Sequence, residues 1–219
     1  MAPIASLRAR RAARVRGLYA VTPELADTAE LVRRVELAID GGATVVQYRN
    51  KTAGAALRAE QAAVLARAVA ARGALFVVND EPALAATVDA DGVHIGEEDG
   101  ALERARAIVG ADRIIGVSCY ADVALAGVAI AAGADYVAFG SFFPSIVKPE
   151  HVRADLSVLV RARSLGVPVV AIGGIDASNA GALVAAGADS VAVISAVFAV
   201  ADVRRAAQAI ARCFAPQPP

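Results

Sequence analysis

Eight short β-branched, apolar runs recur along this chain, each separated from the next by a longer segment, mostly rich in alanine. That alternation restricts the fold more than any other feature. The runs span 17–21, 43–48, 74–78, 92–95, 113–117, 136–140, 168–172 and 190–194. Between and after them, segments 28–40, 55–72, 102–109, 122–132, 155–164, 179–186 and 202–213 read as helices. Strands alternating with helices argue for a parallel sheet with helical crossovers. Gly41-Gly42, Gly133-Ala134 and Gly187-Ala188 end helical segments just before a strand, where glycine suits a left-handed terminus. An open doubly wound sheet usually has fewer strands and a G-x-G-x-x-G turn after the first, and no such turn follows Val21. The expected fold is therefore α/β, a single (β/α)₈ TIM barrel over 17–214, a size ordinary for that architecture in a chain of 219 residues.

The two ends stand apart from this pattern. Residues 1–16 carry Arg8, Arg10, Arg11, Arg14 and Arg16 and no acid, which resembles an organelle transit peptide. They read equally as a short basic helix or arm outside the barrel, and the lack of a serine-rich stretch or an apolar signal core favours the arm. The tail 215–219, with Pro216, Pro218 and Pro219, cannot continue a helix and is expected to fray.

Charge and cysteine content narrow the function classes. With 22 cationic and 22 acidic residues the chain has no long-range field suited to nucleic acid or an anionic membrane surface, so any anion binding is local. No apolar run is long enough to span a bilayer, and alanine inflates the 57% hydrophobic fraction. Cys119 and Cys213 are too few and too far apart for a disulfide framework or a zinc site, which makes a reducing cytoplasm the default. The partners implied are small molecules, and the sequence leaves homo-oligomerisation open.

In a barrel of this kind chemistry collects at the C-terminal ends of the strands. The second run ends in Gln47-Tyr48-Arg49-Asn50-Lys51. If it continues as a strand, Gln47, Arg49 and Lys51 share one face and call for an anionic ligand, while Tyr48 and Asn50 take the other. If it stops at Tyr48, the cations belong to a solvated loop. Asp80 and Asp99 follow neighbouring strands and suit a hard cation such as Mg²⁺, although Asp80 also stands where a residue could cap a helix entered at Pro82. Gly173-Gly174 and Ile194-Ser195 follow the last two strands, where barrels often hold phosphate on backbone N–H groups. The loop Phe142 to Pro149 adds Ser145 and Lys148 and is long enough for a mobile flap. His94 reads as a buried, hydrogen-bonded histidine and His151 as exposed. Cys119 has no adjoining histidine and makes a poor nucleophile candidate, and Tyr120 beside it reads as packing or a ligand wall.

In order, Gln47-x-Arg49-x-Lys51, Val78-Asn79-Asp80, Asp91 to Asp99, Ile115 to Ser118, Gly133 to Tyr136, Phe143 to Lys148, Ala171 to Ile175 and Val193 to Ala196 resemble the thiamine-phosphate synthase family. The resemblance runs from about Gly17 to Phe198. It implies a transferase that joins a hydroxymethylpyrimidine diphosphate to a thiazole ethyl phosphate, with release of pyrophosphate. It assigns the pyrimidine diphosphate to the run Gln47, Tyr48, Arg49, Asn50 and Lys51 with Asn79, Ser118 and Lys148. Lys148, Arg49 and Lys51 would be the catalytic cations. Asp80 and Asp99 would bind Mg²⁺, and Ser145, Ile146, Val147, Gly174, Ile194 and Ser195 would hold the thiazole phosphate.

Two departures from the family pattern stand out. The sixth-strand loop usually reads Thr-x-Thr-Lys, whereas here Ser145-Ile146-Val147-Lys148 keeps one hydroxyl and loses the other. Relatives often have histidine two residues after the serine that here is Ser118, where this chain has Tyr120. The related thiazole tautomerase uses a histidine there for proton transfer, and a phenol is a poor base near neutral pH. A non-catalytic thiamine-phosphate-binding barrel is the rival from another class, motivated by Val147.

Overall fold

A computed structural model describes residues 6–96, 101–144 and 154–215. The strands are β1 Gly17–Val21, β2 Ala43–Tyr48, β3 Leu75–Asn79, β4 Gly92–Ile95, β5 Ile114–Ser118, β6 Tyr136–Phe139, β7 Val169–Ile172 and β8 Ser190–Val193. All neighbouring pairs are parallel, and β8 pairs with β1 to close the barrel in sequence order. The expected TIM barrel is present, with every strand within one residue of its expected bounds.

The helices are α1 Leu7–Ala12, α2 Thr28–Asp40, α3 Ala55–Ala71, α4 Pro82–Thr87, α5 Ala101–Val109, α6 Val123–Ala131, α7 Ser157–Ala162, α8 Ala180–Ala186, α9 Ser195–Phe198 and α10 Val203–Ala211. Seven match the expected alanine-rich segments, α1 falls in the basic segment read as a short helix or arm, α4 starts at Pro82 where a helix entry was read, and α9 is additional. Several starts move inward by a residue or two because an aspartate sits outside the helix as its cap. Asp122 accepts from the amides of Ala124 and Leu125, and Asp202 accepts from that of Arg205. At α7 the N-cap is Leu156, and Asp155 just before it accepts from the amide of Ser157, the first residue of the helix.

Alternation along the strands divides the core in two. Tyr19, Val21, Val45, Leu75, Val77, Ile114, Tyr136, Ala138, Val170 and Ala192 fill the barrel interior. The intervening residues, among them Leu18, Val46, Phe76, Val93 and Val191, pack under the helices.

The end of the barrel opposite the rim uses one device three times. Asp91, Asp135 and Asp189 immediately precede β4, β6 and β8. Each accepts a backbone N–H from the start of the neighbouring strand, from Phe76 at 2.9 Å, Ile115 at 2.9 Å and Val169 at 3.0 Å. The second oxygen of each meets an N-terminal arginine, Arg11 at 2.8 Å, Arg8 at 3.1 Å and Arg16 at 3.1 Å. In addition, Arg14 donates to the carbonyl of Gly73. Arg8, Arg11, Arg14 and Arg16 therefore lie on the barrel's N-terminal face, and α1 itself buries no residue.

Candidate active site

The strand β2 stops at Tyr48, so Arg49 and Lys51 belong to the loop and the alternation does not carry all three polar residues along one strand face. Gln47 points inward: its Nε2 donates to the Tyr19 hydroxyl at 2.8 Å. Tyr48 and Asn50 turn toward the helix layer, where Gln61 of α3, fully buried, accepts from the Tyr48 hydroxyl at 2.9 Å and from Asn50 Nδ2 at 3.1 Å. Burial pushes the Tyr48 hydroxyl up to about 12. Asn50 in turn accepts from the amide of Ala53 and the hydroxyl of Thr52, which shapes the loop carrying Lys51.

The two loop cations have separate acidic partners. Arg49 Nη1 reaches Glu24 at 2.9 Å and Lys51 Nζ reaches Asp80 Oδ2 at 3.3 Å. Burial would raise the Glu24 carboxyl, but hydrogen bonds from Thr52 and the Lys51 backbone, with the charge and hydrogen bond of Arg49, hold it below its usual range. Asp80 stands just past β3 with φ of 59°, a left-handed conformation that aspartate tolerates better than most residues. Its amide donates to the carbonyl of His94 at 2.8 Å, and its Oδ2 accepts from Asn79 at 2.7 Å. Asp80 therefore does not cap α4, whose N-cap is Glu81. Tyr48, Asn50, Lys51, Asn79 and Asp80 line one cleft of about 400 Å³, together with Arg58 and Glu81. Those last two, paired at 2.8 Å, were not singled out from the sequence. Their only signal is position, one turn into α3 and at the entry to α4.

Deeper in the barrel, Ser118 at the end of β5 lies 3.0 Å from His94 Nε2, and His94 Nδ1 lies 3.1 Å from the Tyr136 hydroxyl. His94 is hydrogen-bonded as its place in β4 suggests, and burial lowers its pKa to about 4, so the ring is neutral at neutral pH. Tyr136 and Tyr19 share a hydrogen bond of 2.9 Å, and burial raises both phenols. Neither tyrosine was singled out from the sequence, because an apolar strand gives no sign of where a phenol oxygen points. Cys119 is buried and its Sγ donates to the Val117 carbonyl, while Tyr120 is exposed.

At the far side of the rim, Gly173 and Gly174 have φ of 105° and 63°. A Cβ on Gly173 would lie 2.0 Å from the Ser141 side chain, and one on Gly174 would lie 2.5 Å from the Pro144 carbonyl. Glycine here lets the loop after β6 lie directly on the end of β7. Ile194 and Ser195 enter α9, whose first amides are outside the helix's own bonding. Asp99, Ser145, Ile146, Val147, Lys148 and His151 lie outside the described residues.

The fold and rim together define a parallel (β/α)₈ barrel with a polar mouth, the class of enzymes that places chemistry on loops after the strands. A model of the thiamine monophosphate synthase family matches residues 18–197, and the chain belongs to that family. It is 50% identical over 203 residues to the thiamine-phosphate synthase of Thiobacillus denitrificans, covering 92% of this chain and 96% of the relative. It is 51% identical over 201 residues to that of Chromobacterium violaceum, covering 92% and 97%. Among solved structures, thiamine phosphate pyrophosphorylase from Pyrococcus furiosus superposes with a TM-score of 0.81 at 36% identity, over 91% of this chain and 96% of that one.

Proposed function

We propose that the protein joins 4-amino-2-methyl-5-hydroxymethylpyrimidine diphosphate to thiazole ethyl phosphate, giving thiamine phosphate and pyrophosphate. The observation that carries this reading is the cleft at the ends of β2 and β3, where Lys51, Asn79 and Asp80 converge in a chain of this family. In the reaction the methylene C–O bond breaks and its electron pair leaves on pyrophosphate. The thiazole nitrogen then donates its lone pair to the pyrimidine methyl cation. Diphosphate is a poor leaving group until its charge is neutralised. Arg49, Lys51 and Lys148 are the cations assigned to that task, with Gln47, Asn79 and Ser118 orienting the pyrimidine half. No side-chain nucleophile is required.

The donor set fits Mg²⁺ as far as it is described. Asp80 offers a half-exposed carboxylate with hard oxygen donors. That suits an ion that takes its remaining oxygens from water and substrate. Asp80 and Asp99 would hold it, and the bound ion would offset negative charge on the departing pyrophosphate. Ser145, Ile146, Val147, Gly174, Ile194 and Ser195 are assigned to the thiazole phosphate. We place the protein in the cytoplasm, the default compartment for a chain whose two cysteines are too few and too far apart in sequence for a disulfide framework. The test is to incubate the purified chain with both substrates and Mg²⁺ and identify thiamine phosphate by mass; its absence would contradict the reading.

A further inference from the structure

Five side chains from five strands form an unbroken hydrogen-bonded line through the barrel interior. Gln47 Nε2 meets Tyr19 Oη at 2.8 Å, Tyr19 meets Tyr136 at 2.9 Å, Tyr136 meets His94 Nδ1 at 3.1 Å, and His94 Nε2 meets Ser118 Oγ at 3.0 Å. The register explains how the middle of the line is reached. His94 lies opposite Gly116 on β5, and Gly116 lies opposite Tyr136 on β6. A Cβ at Gly116 would fall 2.0 Å from the Tyr136 ring. The missing side chain lets the tyrosine ring lie over β5 and stack on His94, with centroids 5.6 Å apart.

Proton counting gives the line a direction. Each hydroxyl has one proton to donate, and a neutral imidazole has one N–H and one lone pair. With Gln47 donating to Tyr19, the arrangement that spends every proton within the line has Tyr19 donating to Tyr136 and Tyr136 donating to His94 Nδ1. The imidazole proton then sits on Nε2 and is donated to Ser118 Oγ. The Ser118 proton is left for a ligand, and so is the Oε1 of Gln47.

We propose that Tyr19, Tyr136 and His94 are positioning residues that fix the hydrogen-bond polarity at the two ends of this line, holding Gln47 as an acceptor and Ser118 as a donor. The inference rests on the proposed function, in which Gln47 and Ser118 contact the pyrimidine diphosphate. Such a ligand carries both complements, an amino group that donates and diphosphate oxygens that accept. Turning the Gln47 amide over would reverse every bond in the line, so the two ends cannot change polarity independently.

The chain contains two histidines, so ¹⁵N-histidine labelling gives a spectrum that His151→Gln assigns completely. In the ligand-free full-length protein near neutral pH, His94 is expected as the Nε2–H tautomer, with a mixture of tautomers once Tyr136→Phe removes the donor to Nδ1. Tyr19→Phe and Tyr136→Phe each lower kcat/KM for the pyrimidine diphosphate about tenfold, the scale of one lost hydrogen bond. The double variant loses no more than either single, because one break already interrupts the line. An Nδ1–H tautomer in the wild type, or losses that multiply in the double variant, would overturn the proposal. If Tyr136→Phe does not fold, Tyr19→Phe breaks the line at the neighbouring hydroxyl, and the wild-type tautomer still decides. An Nε2–H tautomer in a protein without synthase activity would support the polarity of the line and overturn the synthase reading alone.

Discussion

Lys51 Nζ stands 3.3 Å from Asp80 Oδ2, tying the loop after β2 to the turn after the neighbouring β3 on the rim of the barrel. The residues assigned to the leaving diphosphate and to the metal thus neutralise one another in the free protein. Both are substantially exposed, so the pair contributes little to stability. Its consequence is for charge: a diphosphate with its cation replaces one ion pair by a larger set of the same kind.

Asp80 is therefore expected to matter for turnover and not for folding. Asp80→Asn keeps a residue that tolerates the left-handed backbone, and should lower kcat by about 100-fold or more while moving stability by no more than about 0.5 kcal/mol. Asp80→Ala should also abolish turnover while leaving the fold intact, at a small additional cost from backbone strain. Steady-state kinetics beside urea denaturation checks both, and a fully active variant would remove Asp80 as a metal ligand.

Gly116→Ala tests the packing that lets Tyr136 reach His94. The added methyl meets ring atoms at 2.0 to 2.4 Å, so the tyrosine must shift, and overpacking of this kind costs about 1–3 kcal/mol. Urea denaturation should show that loss, and kcat/KM should fall with it. An unchanged midpoint would mean that the ring has room elsewhere.

At the other end of the barrel, Arg11→Ala removes the contacts to Asp91 and to the carbonyl of Asp112. It should cost about 1 kcal/mol, the upper range for a partly exposed pair, and leave kcat/KM unchanged because the N-terminal face is remote from the rim. Denaturation and kinetics measured on the same preparation separate the two effects.

Glu30 in α2 gives a pH-dependent signature. Hydrogen bonds from Arg33 and Arg34 lower its carboxyl from 4.5 to about 2. The folded state thus favours the ionised form, and the stabilisation is complete above pH 4.5 and lost as pH falls toward about 2. Glu30→Gln should be less stable than the parent above pH 4.5, with the two converging below it. A difference independent of pH would contradict the assignment.

Much of the barrel was legible because buried parallel strands are short β-branched runs and their spacing leaves room only for crossovers. The run 43–48 was legible too, but whether the strand continued past Tyr48 stayed open, since Tyr48 is held by Gln61, a residue 13 positions away on a helix whose amide gives no sign of its partner. The contact between Tyr19 and Tyr136 escaped notice for a related reason: 117 residues apart in sequence, they meet only because the barrel closes. The usable signal was parity. Tyr19, Gln47, His94, Ser118 and Tyr136 all share the inward phase of their strands, and Gly116 on the same phase marks the space they use. The short helix α9 was hidden by length, since Ser195–Phe198 is too brief to show periodicity, whereas Pro82 marked the start of α4.

The most direct test follows pyrophosphate release by the purified full-length chain supplied with the pyrimidine diphosphate and thiazole phosphate, with and without Mg²⁺. The account predicts release that requires both substrates and Mg²⁺ and that equals thiamine phosphate formed. Absence of release with Mg²⁺ present, together with tight binding of thiamine phosphate, would contradict it and identify a binding protein in its place.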